Sequence, residues 1–183
     1  MRSILFLFII VSNSIAAQNT CTYSSNTSSK ANGLKIKLSI PCDWEESPND
    51  EVIGVLKFTY KGDGLLATAS LGAVELGNQM TEIDAKKLIS LEGIKSLTKA
   101  RGQYISSQLF TVNSVKCGEI IKSTSMNIEN GIFYFYNITN IFIYQKRIVS
   151  IEYTIGARNE TFIEVYPKYL NLFRDLMKKT LFQ

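Results

Sequence analysis

The sequence predicts an α+β fold, a mostly antiparallel sheet of about six to seven strands with helices laid over it. Apolar and polar residues alternate over several stretches of strand length. Turn signals such as Lys61-Gly62-Asp63-Gly64 and Glu129-Asn130-Gly131 join neighbouring stretches at hairpin spacing. Segments 81–99 and 161–181 instead carry their apolar residues at helical spacing. The order of elements is β-β-β-α-β-β-β-β-α.

Met1 to Ala17 reads as a secretory signal peptide: one positive charge at Arg2, an unbroken apolar run from Ile4 to Val11, then small and polar residues. That run is far short of the roughly 20 residues a membrane-spanning helix needs. Cleavage after Ala16 puts Ser14 at the small-residue position before the cut, whereas cleavage after Ala17 frees Gln18. Cys21 is not directly after either cut, so no lipid anchor is expected, and the destination is periplasmic or extracellular. Removing 17 of the 183 residues leaves 166, enough for one core that buries about 70% of the unfolded surface.

Residues 18–32 are rich in Ser, Thr and Asn and form a flexible arm unless Cys21 staples them down. The single domain runs from Gly33 to the C-terminus. Its first strand places Leu34, Ile36, Leu38 and Ile40 on one face and Lys35, Lys37 and Ser39 on the other, and Pro41 ends it. Segments 52–60 and 65–73 form the next hairpin. Thr81 and Asp84 then cap a helix reaching about Lys99, with Ile83, Leu88, Leu91, Ile94 and Leu97 as its stripe. Strands follow at 104–112 and 115–126.

The stretch Ile132 to Tyr144 is apolar on both faces, which suits a strand in the middle of a covered sheet. Gln145-Lys146-Arg147 turns the chain into a partner strand at 148–155. The last helix aligns Phe162, Tyr166, Tyr169, Phe173, Leu176 and Met177; Pro167 either kinks it or starts it.

Composition excludes several chemistries. There is no histidine, which removes Ser-His-Asp and Cys-His catalysis and nearly all zinc and copper sites. No Walker loop, G-x-S-x-G or EF-hand pattern is present. The chain is therefore read as not an enzyme, with no cofactor. Its net charge of +4 comes from scattered Lys and Arg, a solvated surface rather than a nucleic-acid footprint. In an oxidising compartment Cys21, Cys42 and Cys117 make one disulfide with one thiol left over; the sequence does not choose among the pairings.

The segment "IKLSIPCDW", the helix after the third strand, and the aromatic strand pair "FYFYNITNIFIYQKRIVSIEYTIGARNETFIEVY" running into the terminal helix together resemble the PsbP-like α/β/α sandwich superfamily. That group includes the PsbP subunit of photosystem II, a Ran-binding import factor, DcrB-type bacterial envelope proteins and chaperones for type VI secretion effectors. The resemblance covers nearly all of the chain after the signal segment. It implies a non-enzymatic scaffold that docks another protein, and carries over no catalytic residue. The signal peptide favours the envelope members over the cytosolic ones.

The Pro41 to Trp44 corner holds the candidate site. One reading makes Trp44 a plug at the end of the core. The sharper one makes it an aromatic anchor among Asp43, Glu45, Glu46, Asp50 and Glu51, a docking patch for a basic partner. The same acids lack the ligand spacing of a calcium loop. Tyr134, Tyr136, Tyr144 and Tyr153 either line a ligand surface or pack under a helix. The three Asn-x-Ser/Thr sequons are read as chance. Three functions follow: an exported protein-binding module, a periplasmic immunity protein against a secreted toxin, and a small-molecule or lipid carrier.

Overall fold

The computed structural model describes residues 19–49, 51–62, 64–77, 81–96, 102–129, 131–158 and 161–183. The signal segment with its cleavage positions, together with Asp50, Asp63, Leu97, Asn130 and Asn159, lies outside them. Ten strands and three α-helices are described: β1 (Thr20–Ser24), β2 (Ile36–Pro41), β3 (Glu45–Glu46), β4 (Gly54–Gly62), β5 (Leu65–Glu75), α1 (Glu82–Leu88), α2 (Leu91–Ser96), β6 (Gln103–Val112), β7 (Val115–Ile128), β8 (Gly131–Tyr144), β9 (Arg147–Arg158), α3 (Thr161–Lys178) and β10 (Leu181–Phe182).

Seven strands form an antiparallel sheet in the order β3-β4-β5-β9-β8-β7-β6. The expected mostly antiparallel α+β architecture is thus present, and β9 lies at its centre with the aromatic β8 beside it. Two-residue turns join the long strands: Asn113-Ser114 and Gln145-Lys146 all have positive φ, the backbone twist that lets hairpin strands stay paired.

The strand beginning near Leu34 does not join this sheet. It becomes β2, the middle of a separate three-stranded sheet with β1 on one side and β10 on the other. Residues 20–24, expected as part of a flexible arm, are instead strand β1. The condition attached to that expectation is met, because Cys21 is disulfide-bonded to Cys42 and faces Ile40 across the β1–β2 ladder.

One core lies between the large sheet and a layer made of α3 and the small sheet. Leu34, Ile36, Leu38 and Ile40 are each fully buried there, as their alternation requires. They meet Phe58, Leu71, Phe142, Ile151 and Tyr153 from the large sheet and Phe173, Leu176 and Met177 from α3. On the opposite face Ile89 and Ile94 pack on Ile120 and Ile141. Gly118 permits that approach, since a Cβ there would stand 3.0 Å from Ile94 Cγ2.

The single helix predicted over 81–99 is two short helices within the described residues. Thr81 caps the first, accepting the Asp84 N–H at 3.1 Å. Ser90 then accepts the Gly93 N–H at 3.0 Å and starts the second, so a hydroxyl inside the predicted helix acts as a new cap. In α3 Pro167 lies inside the helix rather than at its start.

Candidate functional site

The corner after β2 is fixed from three directions. Cys42 is tied to Cys21, and its N–H donates to the Asn19 carbonyl at 2.9 Å. The Trp44 N–H donates to the Pro41 carbonyl at 3.1 Å, closing a tight turn. Glu45 and Glu46 then pair with Thr59 and Phe58 of β4, and the Ser47 hydroxyl donates to Thr59 Oγ1 at 2.7 Å.

Within this frame the side chains divide sharply. Trp44 is only 3% exposed, with Tyr60 stacked beside it at 6.4 Å between centroids and Phe173 edge-on at 6.2 Å. It offers no free ring to a partner. Asp43, Glu45 and Glu46 are exposed, as is Glu51 in the following loop. That loop is held by Lys30, whose Nζ donates to the Asn49 and Glu51 carbonyls at 2.6 and 3.2 Å. Val52, 97% exposed, and Ile53 follow directly.

Strand pairing also brings in residues that sequence adjacency did not show. An open cavity of about 460 Å³ is lined by Asp43, Glu45, Ser47, Lys57, Thr59, Tyr60 and Lys61. Asp43 and Glu45 therefore border lysines of β4, a mixed-charge surface rather than a purely acidic one, while Glu46, opposite Phe58 in the ladder, lies on the other face of β3. The signal was present in "KFTYK", whose period of two puts Lys57, Thr59 and Lys61 on one face. Among the described residues no three Asp, Glu, Cys or His side chains come together as a metal-holding group.

The tyrosines of the aromatic hairpin lie on the α3 side. Tyr153 is fully buried and stacked on Phe173 at 4.9 Å, and Tyr136 is stacked on Tyr166 at 4.0 Å. The Tyr144 hydroxyl donates to the Gln183 carbonyl. Tyr134 and Tyr136, with Phe135 of the opposite face, border a second open cavity of about 540 Å³ at Gln103 and Ser123–Ser125. Cys117, the remaining thiol, is buried, and burial pushes its pKa up to about 12, far from a reactive thiolate.

Two charged groups, one buried and one partly buried, escaped the sequence reading. Glu119 of β7 is buried under α3 and accepts two hydrogen bonds from Arg174, Nη2 to Oε1 at 2.7 Å and Nε to Oε2 at 3.2 Å, plus one from Gln108 Nε2 at 2.8 Å. Those bonds raise the Arg174 pKa above its ordinary value. On the other face Glu152 of β9 is partly buried. Its pKa is raised by desolvation first and by repulsion from Glu51 second, against the opposing effects of Lys122, Thr139 and Thr154.

No family model and no curated protein matches the chain. Solved structures do. The cyanobacterial PsbP of Synechocystis, CyanoP, superposes with a TM-score of 0.55 at 7% identity, over 93% of this chain and 96% of that one. LpqN of Mycobacterium tuberculosis, described as involved in cell envelope biogenesis, gives 0.51 at 14% identity over 79% and 81%. The Ran-binding protein Mog1p of Saccharomyces cerevisiae gives 0.50 at 9% identity over 91% and 96%. At these identities the likeness is one of fold, and the fold is PsbP-like. No helix among the described residues is long and apolar enough to cross a membrane.

Proposed function

We propose that this chain is an exported, non-enzymatic module of PsbP-like fold that binds a protein partner in the cell envelope, with the corner at Asp43, Glu45 and Glu46 as its docking surface. One observation carries the reading: exposed carboxylates are displayed on a backbone made rigid by a disulfide, a strand pairing and a buried tryptophan. Rigid display matters because a preordered surface loses little conformational entropy on binding. Lys57 and Lys61 beside Asp43 and Glu45 set a charge pattern, and pattern selects a partner better than a field of one sign does. Val52 and Ile53 supply exposed apolar surface in the adjoining loop.

The exported location is supported by the signal-peptide pattern, the Cys21–Cys42 bond and the envelope description of LpqN. The protein-binding role is supported by the Ran-binding description of Mog1p. Non-enzymatic action accords with the lack of histidine and the inert Cys117.

The test is affinity capture from envelope and secreted fractions with tagged chain starting at Gln18, run beside the Asp43→Asn/Glu45→Gln/Glu46→Gln variant. A stoichiometric protein held by the parent and lost by the variant supports the reading; a toxin as that protein makes the chain an immunity protein. Capture of a lipid or small molecule alone replaces it with the carrier function.

A further inference from the structure

The large sheet has two edges, and they are protected very differently. At one end β3 is two residues long and both are glutamates, a short charged edge that discourages further pairing. At the other end β6 is ten residues long and contains neither a charge nor a proline. Among the described residues no strand pairs with its outer side. Its one irregularity lies between Tyr104 and Ser106, and from Ser106 to Val112 the ladder to β7 is regular. A long, neutral edge whose ladder is regular from Ser106 to Val112 is a template for another strand.

We propose that a second copy of this chain pairs with it, β6 against β6 in antiparallel sense about a two-fold axis at Leu109. The register makes the strand complementary to itself. Leu109 meets its own counterpart, Gln108 meets Phe110, Ser107 meets Thr111, and Ser106 meets Val112. Residues opposite each other share a face, as an antiparallel ladder demands. Ser106, Gln108, Phe110 and Val112 lie on the α3 side, where Gln108 and Phe110 border a small cavity of about 120 Å³ with Met177 and Arg174. Each copy's Phe110 therefore arrives beside the other's cavity. On the opposite side Leu109 already leans on the Ile89, Ile94, Ile120 and Ile141 cluster, and its counterpart extends that cluster across the axis. The β6 strands carry no charge, so the ladder itself sets none opposite a like charge, and the pairing is isologous and closed, ending in a dimer rather than a fibre.

The dimer uses the edge farthest from the acidic corner in the sheet order, so both corners stay free in it. The proposal is thus independent of the docking function.

Sedimentation equilibrium on the chain from Gln18 onward, which contains every described residue, tests it. A dimer with a dissociation constant of about 10 μM or tighter is expected. Ser107→Lys/Thr111→Lys sets lysine against lysine at two places and weakens the dimer at least tenfold. Ser107→Lys/Thr111→Glu sets lysine against glutamate and restores it. Thermal melting of each variant near the parent value assures that the fold is intact. A parent chain still monomeric at about 100 μM overturns the proposal, as does a dimer that survives the double lysine change. Failure of the glutamate variant to restore pairing overturns the Leu109 register.

Discussion

The indole of Trp44 stands edge-on to the ring of Phe173, planes 84° apart and centroids 6.2 Å apart, which joins the acidic corner to α3 across the end of the core. Tyr60 closes the other side of the indole. Removing the ring leaves a cavity that neither neighbour can fill without moving a backbone element. Trp44→Ala is expected to cost about 3–5 kcal/mol of stability, measured by urea unfolding, whereas Trp44→Phe costs clearly less. A loss below about 1 kcal/mol for Trp44→Ala denies the ring its role as a core residue.

The Cys21–Cys42 bond closes a loop with a sequence separation of 21. Chain-entropy reasoning gives such a cross-link about 3 kcal/mol of stabilisation. The Cys21→Ser/Cys42→Ser variant should lose about that much, and amide exchange should rise first in Thr20–Ser24, because among the described residues β1 pairs only with β2. Unchanged protection of β1 contradicts this.

Glu152 gives a pH dependence with a definite sign. Its folded pKa is raised, so between its unfolded value near 4.5 and that higher value the folded state binds more protons than the unfolded state. Its contribution to stability therefore falls as pH rises through this window and stays low above it. Glu152→Gln should melt higher than the parent at pH 7, and the difference should vanish well below pH 4.5. A difference of the same size at acid pH assigns the effect to packing instead of ionisation.

Glu119 under α3 depends on Arg174, whose side chain is 35% exposed while that of Glu119 is 2% exposed. Arg174→Met strands a buried carboxylate. The cost is set at about 2–3 kcal/mol, below the full buried-pair penalty because water reaches the arginine side. Adding Glu119→Met should recover most of it, because no buried charge is then left unpaired and the amide of Gln108, which is exposed, can turn to water. A double variant no more stable than Arg174→Met in denaturant refutes the argument.

The fold was readable where local patterns decide it. The alternation at Leu34 to Ile40 marked a buried face, and the turns at Asn113-Ser114 and Gln145-Lys146 fell between the predicted strands. Alternation states which face is buried but not which sheet a strand joins. Hence the separate sheet of β1, β2 and β10 stayed hidden: β10 is two residues long, and its partner Ile36 is far away in sequence. The helix break at Ser90 was hidden for a related reason, since a serine between the positions of an apolar stripe reads as a solvated residue until its cap is seen. At the corner, the acids were visible as a run, but their lysine neighbours depend on the pairing of Glu45 with Thr59. The Glu119 to Arg174 contact joins residues 55 positions apart, and no periodicity reports such a pair.

The most direct test of the docking account is the affinity of the captured partner for the parent chain and for Asp43→Asn/Glu45→Gln/Glu46→Gln, titrated by calorimetry at low and high salt. The account predicts an affinity at least tenfold weaker for the variant, about 1.4 kcal/mol, with most of the salt dependence gone. Equal affinities and equal salt slopes for the two chains would contradict it, and would place the partner elsewhere on the fold.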